Sequence, residues 1–178
     1  MAEGSATWQL CGAHHVGLTV RDIERSLEFY RDRLGLSLIR RRSSDADYLG
    51  AQTGHPGLRL EMASFQLAPE GGPTLELVQY MTRAGAAADP ATHRPGNTHL
   101  CFRVDDIQRA YDSLRARGVR FLTPPVTITS GPNRGGIGVY LFDPDDYTLE
   151  LFQPSTSEVR APDRPGAATQ ASSSGSQE

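Results

Sequence analysis

The sequence predicts an α+β chain of two βαβββ modules, forming a curved mixed-sheet cup with helices on the outer face. Three observations predict it. The hexamer Thr74-Leu75-Glu76-Leu77-Val78-Gln79 returns as Thr148-Leu149-Glu150-Leu151-Phe152-Gln153, with five of six residues unchanged. Residues 15–33, slid onto 99–117, keep seven identities in nineteen positions, His15 falling on His99. Each copy also runs strand, helix, strands in the same order, the mark of a duplicated unit.

The elements follow from local pattern. His15 to Val20 alternates, with Val16, Leu18 and Val20 on one face and His15, Gly17 and Thr19 on the other. Asp22 is placed as an N-cap for a helix whose apolar residues Ile23, Leu27, Tyr30 and Leu34 recur at helical spacing, and Gly35 ends it. Leu36 to Arg41 and Leu58 to Leu67 read as strands joined by a Gly/Asp/Pro-containing connection. The turn Glu70-Gly71-Gly72-Pro73 leads into the strand that carries Glu76.

Residues 81–95 hold Gly85, a short Ala run, Pro90 and Pro95, and are expected to link the halves (13–80 and 96–154). The second half then restarts. His99 to Val104 is a strand, and Asp105 or Asp106 caps a helix with Ile107, Tyr111 and Leu114 on its apolar face. Gly118 closes that helix, Val119 to Leu122 is a short strand, and the Gly-rich loop 130–136 precedes the strand Ile137 to Phe142. Asp143-Pro144-Asp145-Asp146 turns the chain into the strand with Glu150. A polar leader over 1–12 and a Ser/Ala/Gly/Pro/Gln-rich tail over 155–178 lack apolar periodicity and are expected to be flexible and disordered.

Composition narrows the function. A net charge of −3 leaves no electrostatic footprint for nucleic acid. All 18 basic residues are Arg, which excludes lysine-based covalent chemistry. Two cysteines, Cys11 and Cys101, make neither a disulfide framework nor a Cys-based zinc site. No apolar run approaches the roughly 20 residues of a membrane span, and no signal peptide is visible. The expectation is a soluble, cytoplasmic protein without nucleic-acid or membrane partners.

The chemistry lies in the repeated His and Glu. His15, Glu76, His99 and Glu150 all fall on the strand face opposite the aliphatic one, with Thr19, Thr74, Val78, Cys101, Arg103, Thr148 and Phe152. A carboxylate in the middle of an otherwise apolar strand is costly unless something offsets its charge. Two imidazoles and two carboxylates converging on a concave face point to a divalent metal.

These residues resemble the vicinal oxygen chelate superfamily, which includes glyoxalase I, methylmalonyl-CoA epimerase, extradiol dioxygenases and bleomycin-binding proteins. The resemblance covers about residues 13–154. It rests on His15-Val16-Gly17-Leu18-Thr19-Val20, on Asp22 with Phe29-Tyr30 and Leu34-Gly35, and on Leu75-Glu76-Leu77. His99 with Val104-Asp105-Asp106, and Asp143-Pro144-Asp145 leading to Glu150, complete it. The ligand set is most similar to bacterial glyoxalase I and implies metal ligands at His15, Glu76, His99 and Glu150. The metal implied is Ni, Co, Zn, Mn or Fe(II). It would polarise a carbonyl or enediolate while Glu150 or Glu76 acts as the base at the adjacent carbon. The resemblance thus implies a lyase or isomerase of glyoxalase or epimerase type. Its substrate would be a small molecule with a carbonyl or vicinal oxygens, and its assembly a homodimer.

Departures from each relative matter. Glyoxalase I has an Arg where this chain has Thr19 and an Asn where it has Tyr80, both of which help hold glutathione. Methylmalonyl-CoA epimerase has Gln in place of Glu76. An Fe(II) extradiol dioxygenase would use His15, His99 and Glu150 with Tyr140, but Asn133 and Arg134 stand where its further His is expected, and Asp146 replaces a turn glycine. A non-catalytic antibiotic-binding protein would lack the four ligands. Whether the ligands meet in one chain or across a dimer interface is open at this stage.

Overall fold

A computed structural model of the chain describes residues 8–68, 71–87, 89 and 91–156. Most of the leader (1–7) and of the tail (157–178) lies outside the described residues, as do Glu70 and Pro90 in the predicted turn and linker. The first half runs β1 (His15–Thr19), α1 (Ile23–Leu27), β2 (Leu38–Ser44), α2 (Asp47–Thr53), β3 (Leu60–Gln66) and β4 (Thr74–Tyr80). The second runs β5 (Leu100–Arg103), α3 (Ile107–Ala116), β6 (Arg120–Phe121), β7 (Val126–Thr127), β8 (Ile137–Phe142) and β9 (Thr148–Gln153).

The strands form two curved, open sheets. One has the order β1-β4-β3-β2; the other has β5-β9-β8-β6, with β7 also paired to β8. In each, the strand that starts at or just after the His (β1 at His15, β5 after His99) is outermost and runs parallel to the Glu-bearing strand, while the remaining pairings are antiparallel. The sheets are therefore mixed, as predicted.

The repeated hexamer has a structural task besides its Glu. Gln79 Oε1 accepts a 2.9 Å hydrogen bond from the Ile23 amide, and Gln153 Oε1 accepts one of 2.8 Å from the Ile107 amide. Both amides belong to the first residue of a helix, where no intrahelical acceptor exists. Asp22 and Asp106 cap the same turns through their side chains, accepting from Glu24 and Arg25 and from Arg109. The same sheet-to-helix tie is thus made twice.

The core lies between the sheets. Leu18, Val20, Leu75 and Leu77 of the first sheet and Val139, Leu141, Leu149 and Leu151 of the second share one buried cluster with Ile23, Leu27, Phe29, Tyr30, Ile107, Tyr111 and Leu114. The helix sides of both modules therefore pack into a common interior, and the His/Glu faces look away from it. A smaller cluster forms where Leu49 of α2 meets Leu58, Leu60 and Met62, with Val78 and Tyr80 beside them. Among the described residues, no helix is long and apolar enough to cross a membrane.

Several local expectations need correction. The regular helix expected over 23–34 gives way at Glu28 to a π-helical turn, Glu28–Arg33. The wider turn admits the adjacent Phe29 and Tyr30 to the core together, both buried and edge-to-face with ring centroids 5.0 Å apart. The strand expected from Leu36 begins at Leu38 and carries a bulge at Ile39. Val119 to Leu122 shrinks to the two residues of β6, and β7 was not expected. The helix α2 was not expected either. It has one buried leucine and an internal Gly50, at which a Cβ would come within 2.8 Å of the His55 carbonyl oxygen as the chain folds back. Val16, placed on the aliphatic face, is 38% exposed because β1 has no neighbouring strand beyond it among the described residues.

Candidate metal centre

The structure assembles the four predicted ligands as two matched pairs. His15 Nε2 lies 3.9 Å from Glu76 Oε2 on the first sheet. His99 Nε2 lies 3.2 Å from Glu150 Oε2 on the second. Each pair joins the start of an outermost strand to the middle of its parallel neighbour. Exposures match as well: both imidazoles are 45% exposed, and the carboxylates 24% and 21%. Among the described residues, no three His, Cys, Asp or Glu side chains form a metal-holding group, so the pairs remain separate half-sites within the chain.

Register explains each pair. Gly17 stands opposite Glu76, so no side chain fills the space beside the carboxylate where the His15 ring lies. On the other sheet a Cβ at Gly138 would come within 3.3 Å of Glu150 Oε1. A glycine beside each Glu leaves a cradle that any larger residue would narrow. His15 Nδ1 is 2.9 Å from His14 Nδ1, a contact that orients the ring and leaves Nε2 turned to Glu76.

The second half-site is richer. Cys101 and Tyr140 flank Glu150 in register on β5 and β8. The Cys101 thiol hydrogen-bonds the Glu150 carboxylate; burial, together with that charge, pushes the thiol up to about 12. Tyr140 is likewise raised, first by burial and then by Glu150 and Cys101, and its ring packs edge-on against His99 at 5.4 Å. Both groups therefore stay protonated as hydrogen-bond donors beside Glu150 in neutral solution.

Two nitrogens and two carboxylates are a donor set that borderline divalent ions accept. The pairs, their partial exposure and the glycine cradles fit such an ion. His14, Gly138 and the thiol contact of Cys101 were not singled out from the sequence. A His-His dipeptide at a strand start was the available signal for the first.

A groove of about 460 Å³ follows β1 from Val16 to Arg21, and Arg83 to Ala87 and Gly96 to Thr98 line it together with Tyr147 and Thr148. Part of the segment expected to link the halves, Arg83 to Ala87, thus lies along the open edge of the strand that carries His15.

Comparison with known proteins agrees with this architecture. The family model described as the glyoxalase/bleomycin resistance protein/dioxygenase superfamily matches residues 12–151. A 2-epi-5-epi-valiolone epimerase from Actinomyces sp. is 33% identical over 143 residues, covering 78% of this chain and 77% of the relative. A lactoylglutathione lyase from Haemophilus influenzae is 30% identical, covering 78% of this chain and 90% of its own. A glyoxalase family protein from Bacillus cereus superposes with a TM-score of 0.72 at 19% identity, over 85% of this chain and 99% of that one, a likeness of fold. The chain belongs to the glyoxalase/bleomycin resistance protein/dioxygenase superfamily.

Proposed function

We propose that the protein is a metal-dependent lyase or isomerase of glyoxalase or epimerase type. It moves a proton at a carbon next to a carbonyl of a small-molecule substrate. The observation that carries this reading is the pair of equivalent His–Glu half-sites, each on the open edge of its own sheet. Relatives at about 30% identity that are a lactoylglutathione lyase and an epimerase support the reaction class.

Completion of the site follows from symmetry. A second copy that brings its β5 beside β1 sets its own His99 and Glu150 opposite His15 and Glu76. Two-fold symmetry then makes two identical four-ligand sites. This also covers two open strand edges that would otherwise invite uncontrolled pairing. His15, Glu76, His99 and Glu150 would hold the ion, which supplies Lewis-acid polarisation of the substrate carbonyl when bound.

The protein's own groups do the rest. Glu150 removes the proton from the neighbouring carbon and returns it, with Glu76 as the second carboxylate on the opposite side. The Cys101 thiol orients Glu150, and the Tyr140 hydroxyl is a donor on the same face. Thr19 and Tyr80 stand where glutathione-specific relatives carry Arg and Asn, so a glutathione thioester is not the favoured substrate.

The test has two parts. Protein purified without chelators is analysed for metal, and deuterium exchange is followed on 2-epi-5-epi-valiolone and on lactoylglutathione. About one divalent ion per chain is expected, lost in His15→Ala and His99→Ala. Exchange on the accepted substrate should fall by about 10²-fold or more in Glu150→Gln. A metal-free wild type unaffected by either His substitution contradicts the reading. The contact of Tyr140 with His99 favours an Fe(II) extradiol dioxygenase as the second reading. Oxygen uptake with catechol and Fe(II), alongside full exchange activity in Glu150→Gln, would select it.

A further inference from the structure

The arginines of β2 divide by face. On the helix side Arg41 pairs with Glu24, where Arg33 also pairs with Glu28 and Arg21 and Arg25 face Asp145. Arg40 and Arg42, on either side of Arg41 in β2, have no ion-pair or side-chain hydrogen-bond partner among the described residues and are exposed. The bulge at Ile39 produces this split. Leu38 pairs with Phe65 on the core side, but one extra residue shifts the register so that Arg40 pairs with Ser64 and Arg42 with Met62. Ser64 in turn pairs with Glu76, and Met62 with Val78. Without the bulge, Arg40 would share the face of Leu38 and enter the core. With it, Arg40, Ser64 and Glu76 stand on one rung of the sheet and on one face. Bulges re-aim side chains in this way beside functional sites.

Two strand spacings separate Arg40 from Glu76, about 10 Å between their Cα atoms. A substrate whose reacting end sits at Glu76 and that spans this distance would bring its far end to the guanidinium groups. Arg103 repeats the pattern on the other sheet: it shares the face of Cys101, two residues from it, and also has no acidic partner among the described residues.

We propose that Arg40 and Arg42 form a recognition site for an anionic group, a carboxylate or a phosphate, on the substrate. This names a substrate class for the reaction proposed above and rests on that reading for the identity of the reacting end. Paired guanidiniums grip such groups with charge-assisted, bidentate hydrogen bonds. They would take over the anchoring role left open by Thr19 and Tyr80.

The experiment is calorimetric titration of inorganic phosphate and of malonate into chelator-treated protein at low salt, so that neither anion binds through a metal. Wild type should bind at least one of the two, the tighter identifying phosphate or carboxylate, with affinity falling as salt rises. Arg40→Ala/Arg42→Ala should weaken that binding by about tenfold or more. Arg41→Ala, which alters the opposite face, should leave it within about twofold; a circular dichroism melt of each variant confirms that folding is retained. Wild type that binds neither anion, a double variant that binds as well as wild type, or an Arg41→Ala loss equal to that of the double variant would overturn the proposal. Metal content separates the two readings. A metal-free wild type that shows the Arg40/Arg42 effect removes the proposed reaction and keeps this site, whereas a metal-loaded wild type without it does the reverse.

Discussion

The Tyr30 hydroxyl donates a 2.9 Å hydrogen bond to Asp143 Oδ2 across the buried contact between the two modules. Asp143 Oδ1 accepts from the Asp145 and Tyr147 amides at 2.8 Å each, so one carboxylate shapes the turn before β9 and also grips the other module. This contact ties the two modules together beside their shared apolar core, on the side away from the His–Glu pairs.

Tyr30→Phe should destabilise the protein by about 2 kcal/mol at neutral pH, because a buried carboxylate loses a hydrogen bond. The effect should depend on pH. Burial raises Asp143 above the usual carboxylate range, and the Tyr30 bond partly offsets that rise. A group raised by folding contributes stability that is present below its unfolded value and lost as pH climbs through the folded one. Removing the Tyr30 hydroxyl raises Asp143 further. The deficit of the variant should therefore be largest at neutral pH and shrink as pH falls toward the ordinary carboxylate value. Denaturant unfolding of both proteins across that range checks it; a deficit that grows in acid contradicts it.

Gly138→Ala should damage the site more than the fold. The added methyl lands 3.3 Å from Glu150 Oε1, and the neighbouring contact, with the Leu151 carbonyl oxygen, is an ordinary 3.9 Å. Metal affinity should drop several-fold while the melting temperature moves little, as measured by competition with a chromogenic chelator and by thermal unfolding.

The sequence showed much of this and hid some. Duplication made the fold legible, because His15/His99 and the two hexamers marked equivalent points of two modules. Alternation placed His15, Glu76, His99 and Glu150 on one strand face, and each module brings its own His and Glu together, whereas the convergence of all four is not made within the single chain among the described residues. It did not show the bulge at Ile39, since three consecutive arginines in a strand look the same whichever register the partner strand takes. Nor did it show α2, whose single buried leucine leaves no helical period to detect. The π-helical turn was hidden because Ile23, Leu27, Tyr30 and Leu34 satisfy a regular helix equally well. How the halves face one another depends on tertiary contacts such as Tyr30–Asp143, which join residues far apart in the chain.

The most direct measurement of the central claim, that two chains share each site, is complementation between His15→Ala and His99→Ala proteins. Each alone should be inactive and metal-free, since every one of its sites lacks an imidazole. In a mixed dimer one site lacks both imidazoles and the other is intact. Unfolding and refolding the two together should therefore restore about a quarter of the wild-type metal content and activity. No recovery on mixing, with each parent still folded, would contradict the account.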